Sequence, residues 1–300
     1  KDTISVAPGG KVVFEGEEPL PGGIYLVVLP PKNNYFEMII SDDQHFSMNT
    51  TIQNLVADMT VEGSDENQVF YEYLVKLGDI KTQSDDIDEE VKSIKGDKKK
   101  SELDKKNQQK IDGLNAQKKT LQEDVNDYRM NIMEQYPSFF YTAVLKAMKD
   151  PDIPEAPTDE KGNPLDSLFD FKYYKQHFFD GVDFSDERLL RTPLIHNKLN
   201  QYLKQLVAPI PDSINTACDY MLKETRADNE VFKYTLIHLL NKYANSKIMG
   251  MDAVYVYLVD NYYAKGDAPW VDSVAVYKME ARAKALRPTL VGKKTAKISC

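Results

Sequence analysis

Cysteine is scarce: 300 residues hold two, Cys218 and Cys300. Two thiols cannot build a disulfide framework, and no C-x-x-C is present. The scarcity leaves the compartment open, because many exported bacterial proteins also lack disulfides. Positive charge is short as well, with 38 Lys and Arg against 47 Asp and Glu, a net charge of −9. A nucleic-acid partner needs a basic face to displace counterions, and an anionic membrane surface attracts basic segments, so both are disfavoured. No apolar run nears the ~20 residues of a membrane helix. The longest, "GIYLVVL" and "DAVYVYLVD", fall far short, so no transmembrane segment is expected. No initiator Met opens the chain and no signal peptide is visible. Lys1 is therefore expected to be a processed or trimmed start, with any targeting sequence already removed.

What is present is globular in kind: 42% hydrophobic and 28% charged residues, enough chain for one large domain or two ordinary ones. Residues 1–63 read as a small antiparallel β-sheet domain. "KVVFEG", "GIYLVVLP", "YFEMIIS" and "LVADMTVEG" are β-branched or aromatic runs, set between turn segments such as "APGG", "PLPGG" and "PKNN". Phe36, Met38 and Ile40 alternate onto one face, as in a strand with one side buried.

The pattern changes at "VEGSDENQVFYEYL". Ser64 is a good helix N-cap, with Asp65 and Glu66 placed against the positive helix start. Phe70, Tyr73, Leu77, Ile80, Ile87, Val91 and Ile94 follow three- and four-residue steps, with Ser84 the one polar lapse. A second seam runs Ile111, Leu114, Leu121, Val125, Tyr128 and Ile132, with Lys118 as its lapse. The polar stretch "KGDKKKSELDKK" between them predicts a long charged helical hairpin over 64–136, its tip near Gly96. Each arm would then extend ~45 Å at ~1.5 Å per residue. A single kinked helix is the competing reading.

Residues 137–287 read as an α-helical array. Pro137 marks a boundary before the apolar-faced "FFYTAVLKAM", and the Pro-rich "PDIPEAPTDEKGNPLDS" is a surface loop. Four stripes follow: Ile195/Leu199/Tyr202/Leu206, Ile214/Ala217/Cys218/Met221/Leu222, Phe232/Leu236/Leu240/Tyr243 and Met251/Val254/Tyr255/Leu258/Tyr262. Amphipathic helices in series pack as an array. No strict repeat period is found. The fold class is α+β and mostly α.

The chemistry-bearing residues are few and scattered. His45, His177, His196 and His238 form no H-E-x-x-H and lie near no cysteine, which favours surface or packed roles over metal ligation. No G-x-S-x-G elbow occurs. "VGKKT" lacks the upstream Gly of a phosphate loop and reads as a linker. "DGVDFSDERLL" spaces Asp180, Asp183 and Asp186 three apart, unlike the alternate ligands of a calcium loop; Ser185 is instead expected to cap a helix opened by Asp186 and Glu187. Cys218 sits on an apolar stripe and reads as a small hydrophobe; Cys300 has no resolving partner nearby. Eighteen tyrosines, paired in "KYY" and "NYY", could line a cleft that stacks sugars or grips peptides, though Tyr is also an ordinary boundary residue in helical arrays. No catalytic, cofactor-binding or metal-ligating residue is assigned, and no cofactor.

The order of these parts carries a resemblance. "VVFEG", "GIYLVVL" and "DDQHFSMNT" lead into "VEGSDENQVFYEYL", then come the charged helical pair, "YPSFFYTAVLKAM", the array and "RPTLVGKKT". The chain resembles the N-terminal part of envelope thioredoxin-like proteins of Gram-negative gut anaerobes. In these, a small β unit and a helical domain, both of unknown function, precede a thioredoxin-like module of the TlpA/peroxiredoxin-like type. One departure is that Gln44 and His45 precede Phe46, where such β units often have Asp-Gly.

The resemblance implies that 288–300 is a linker towards a missing thioredoxin-like module, whose C-x-x-C has no counterpart here. It also implies location in the periplasm or cell envelope, often behind a lipoprotein signal. The expected function is a non-catalytic accessory region of an exported thiol–disulfide oxidoreductase, positioning the redox module or docking protein partners, with a homodimer as a further option. The alternative is a stand-alone envelope lipoprotein that binds glycan or peptide through its Tyr-rich surface. A hydrolase using unrecognised carboxylates is the third class.

Overall fold

The computed structural model describes residues 3–42, 44–96 and 104–293. The architecture is α+β and mostly α, as expected. The chain divides into two compact units, Lys1–Leu145 and Lys146–Cys300.

In the first unit, β1 (Gly23–Leu29) and β2 (Asn34–Ile40) form an antiparallel hairpin, with Gly23 opposite Ile40 and Leu29 opposite Asn34. The turn residue Asn33 takes a left-handed φ of 55°, which asparagine tolerates better than most side chains. A second two-stranded sheet pairs β3 (Ser47–Asn49) with β4 (Thr60–Glu62).

Two strand expectations are corrected. "KVVFEG" is not a strand: Val13 and Phe14 are 47% and 51% exposed, and the run pairs with no strand among the described residues. Without a partner its backbone has no ladder to join, whatever its β propensity. The run at 55–63 shortens to β4, because Leu55–Asp58 is taken up by a turn closed from Asp58 N to Asn54 O at 3.0 Å.

β4 leads through Gly63 into α1 (Asp65–Lys95). Gly63 has φ 88°, and a Cβ there would lie 2.9 Å from the His45 carbonyl oxygen, so both conformation and space call for glycine. Ser64 caps α1 as expected, accepting from Asn67 N at 3.3 Å. Glu66 does more than favour the helix start. Its two oxygens accept from Ser41 Oγ (2.5 Å) and from Tyr141 N (2.6 Å) in the first turn of α3 (Phe140–Met148). One buried carboxylate thus ties the end of β2, the start of α1 and the start of α3.

α1 and α2 (Lys105–Gln135) are the arms of the hairpin, each 31 residues and so about 46 Å long. The tip is expected near Gly96, and residues 97–103 lie outside the described residues. Every residue of both apolar seams is buried or half-buried. Near the tip Val91, Ile111 and Leu114 form a small core with Ile87 and Ile94, and nearer the base Tyr73 stacks on Tyr128. Glu90–Lys110 (2.7 Å) and Asp88–Lys118 (2.6 Å) cross between the helices. These pairs set an antiparallel register in which the two polar lapses, Ser84 and Lys118, fall at the same level. The seam is interrupted once, on both arms together.

In the second unit, α4 (Phe169–His177) follows the Pro-rich loop, and α5 (Leu194–Gln201) runs into a wide turn at Tyr202–Leu206. Next come α6 (Pro211–Glu224) and α7 (Asn229–Ala244). α8 (Asp252–Leu258) ends in a second wide turn, Val259–Tyr263, and α9 (Ser273–Leu286) closes the array. Pro211 sits in the first turn of α6, where its missing N–H costs nothing. Asp228 caps α7 and Asp272 caps α9. All four predicted stripes are buried in full, meeting in a core that includes Leu199, Met221, Leu222, Leu236 and Leu258. The expected helix behind Ser185 is a short 3-10 turn, Glu187–Arg191, and its cap is Asp186, whose side chain accepts from Arg188 N. The segment expected as a linker is described only to Lys293.

Candidate functional site

α4 spaces Tyr173 and His177 four residues apart, so both rings stand on one helical face, with centroids 4.1 Å apart. They line a cleft of about 530 Å³ in the second unit, whose rim carries Lys149, Asp150, Asp180 and Asp183. The chain turns sharply after α4 to form this rim. Gly181 packs so closely on the Lys146 carbonyl oxygen that a Cβ there would collide with it.

The carboxylates of the cleft already have partners. Asp180 meets His177 Nδ1 at 2.6 Å. Asp183 accepts from Ser185 N (2.9 Å) and Ser185 Oγ (2.6 Å), which is why Ser185 is not a helix cap. Asp150 accepts from the Tyr174 hydroxyl at 2.8 Å. Burial, then this carboxylate, push Tyr174 up to about 12. In the same unit Lys198, 8% exposed, reaches the Phe178 carbonyl at 3.4 Å and lies over the Phe178 ring at 4.7 Å. Burial pulls its pKa below the usual lysine range, against the opposing pull of Asp150. The arrangement offers an aromatic face with a charged, open rim, suited to holding a polar ligand.

The sequence-flagged residues thus separate. Tyr173, His177, Asp180 and Asp183 come together at the cleft. Asp186 does not: it pairs with Arg188 at 2.8 Å. His45 is exposed in the first unit, and His196 and His238 meet between α5 and α7 with ring centroids 4.7 Å apart. Burial, then His196, push His238 down to about 4. Cys218 is 0% exposed, and burial pushes its thiol far above the ordinary range; Cys300 lies outside the described residues.

The "NYY" tyrosines are structural. The Tyr262 hydroxyl donates to Asp219 Oδ1 at 2.6 Å, beside Tyr257 donating to Oδ2 at 2.5 Å, and Tyr263 is buried. Other residues at or near the cleft escape the sequence reading, Lys198 and Asp150 among them. Lys198 had a signal, a charge three residues after Ile195 on the buried face of α5; Asp150 had none.

Among the described residues, no three or more His, Cys, Asp or Glu side chains converge to hold a metal, and no helix is long and apolar enough to cross a membrane. No curated protein and no solved structure matches the chain. One family does match, over residues 96–288, from the end of α1 through α9, and it takes in the cleft and the Asp219 bracket. The chain belongs to this family, described as a domain of unknown function (DUF5106).

Proposed function

We propose that the chain is a binding and positioning region, a non-catalytic accessory part of an exported thioredoxin-like thiol–disulfide oxidoreductase of the cell envelope. The observation that carries this reading is the state of Cys218. A thiolate is the nucleophile in disulfide exchange, and a thiol held protonated inside an apolar helix interface is inert. Redox chemistry would then lie in a separate module, with this chain placing that module or docking its partners. The matched family is of unknown function, and the residues it covers here, 96–288, are largely helical, in keeping with the helical part of the resemblance. The test is a dithiol-dependent disulfide-reduction assay on the 300-residue chain. No rate above buffer is expected; a rate abolished by Cys218→Ala would contradict the reading.

A second reading, an envelope protein that binds glycan or peptide, is favoured by the Tyr173–His177 face of the cleft. Thermal shift across a glycan and peptide panel tests it. A stabilising ligand whose effect disappears in Tyr173→Ala supports it, and no shift with any ligand counts against it.

A further inference from the structure

α5 and α7 face each other along a row of nitrogen and oxygen donors that the cleft does not use. His196 and Asn200 stand one turn apart on α5; Tyr234, His238 and Lys242 stand one turn apart on α7. Lys242 Nζ donates to Asn200 Oδ1 at 2.8 Å, which fixes the amide so that its Nδ2 faces His196 Nε2 at 3.0 Å. Nδ2 is a donor, so Nε2 of His196 is an acceptor. The ring is then the neutral tautomer with its proton on Nδ1, donated to the Tyr234 hydroxyl at 2.9 Å. Holding one ring nitrogen by a hydrogen bond while the pair on the other faces outward is how histidine is presented to metals, and here that pair is covered only by the Asn200 amide.

The second ring supplies the independent observation. His238 lies 4.7 Å from His196, centroid to centroid, at 68°, and its Nε2 is buried without a hydrogen-bond partner. Buried polar atoms are nearly always paired, so a ring nitrogen left without a partner is one that a ligand can take up. His196 is exposed, so its ring can be reached from solvent.

We propose that His196 and His238 form a two-imidazole site for a divalent transition metal, Cu²⁺ before Ni²⁺, with water completing the coordination. Imidazole nitrogen suits copper and nickel, and copper heads the affinity order for such ligands. Calcium and magnesium demand oxygen ligands and are rejected. Binding displaces the Asn200 amide from Nε2.

The test is calorimetric titration of the full chain with Cu²⁺, Ni²⁺ and Mg²⁺ at neutral pH, alongside histidine NMR. The expected result is one saturable copper equivalent, weaker nickel and no magnesium. Paramagnetic broadening should be confined to the His196 and His238 ring signals. His196→Ala, at an exposed position that leaves the core intact, should abolish saturable copper binding, as should His238→Ala; His177→Ala should not. Absence of saturable copper binding in the folded chain would overturn the proposal, as would binding that survives in the His196→Ala/His238→Ala chain.

Discussion

Asn67 on α1 holds both backbone groups of Ile39 on β2: its Oδ1 accepts from Ile39 N and its Nδ2 donates to Ile39 O, each at 2.8 Å. One turn later the Tyr71 hydroxyl donates to Glu37 O at 2.6 Å. Ile39 and Glu37 are two apart, so both turn the same backbone edge away from β1. A helix thus takes the place of a third strand, and a two-stranded sheet, marginal by itself, becomes an edge-covered one.

Asn67→Ala leaves a buried N–H and a buried C=O unpaired, at about 1–3 kcal/mol each. The expected loss is about 2–6 kcal/mol in urea unfolding of the first unit. Asn67→Asp keeps the acceptor but loses the donor and buries a carboxylate against the Ile39 carbonyl, so it should lose at least as much. A change below about 0.5 kcal/mol in Asn67→Ala would show that the amide does not bear on the sheet.

Ser84 and Lys118 interrupt the hairpin seam at one level. Lys118 pairs with Asp88, but both side chains are more than two-fifths exposed, so the pair is worth little against an apolar layer. The double change Ser84→Leu/Lys118→Leu should raise hairpin stability by about 1–3 kcal/mol, more than its single changes combined. Simple additivity in a double-mutant cycle would place the two residues at different levels.

The hairpin was legible in the sequence because each arm repeats its apolar residues over many turns and breaks the rhythm only once. The four stripes of the array were legible for the same reason. "KVVFEG" misled because strand propensity says nothing about whether a partner strand exists. Ser185 misled because it is bonded back to Asp183, and the neighbouring Asp186, which also holds Arg188, caps the turn instead. The cleft was half legible: Tyr173, His177, Asp180 and Asp183 all drew notice, but nothing in their spacing set Asp150 or Lys146 beside them. Those contacts depend on a loop and a close backbone approach, which carry no periodicity.

That close approach can be tested directly. Gly181→Ala has no room against the Lys146 carbonyl and must shift the rim of the cleft. A loss of about 1–3 kcal/mol is expected, the usual cost of overpacking. The His177 ring signals should move with it. A chain of unchanged stability and unchanged His177 signals would mean that the rim yields freely.

Several phenols are held protonated by the fold. Tyr71 is pushed up to about 12 by burial and then Glu37, and Tyr257 to about 12 by burial and then its bond to Asp219. In the unfolded chain both would ionise near pH 10. Their contribution to stability is therefore full below pH 10 and is lost as pH rises from about 10 towards 12, where the unfolded state has released protons that the folded state retains. Absorbance at about 295 nm should show a group of tyrosines ionising late, together with unfolding. Complete ionisation of all eighteen near pH 10 with the fold intact would contradict this.

The most direct measurement is the reactivity of Cys218. With Cys300 replaced by serine, the chain is exposed to an aromatic disulfide reagent at neutral pH, natively and in denaturant. The expected result is no labelling on the timescale of minutes in the native state, rising to one equivalent only on unfolding. Prompt native labelling would show an accessible thiolate at Cys218 and would contradict a chain that leaves disulfide chemistry to another module.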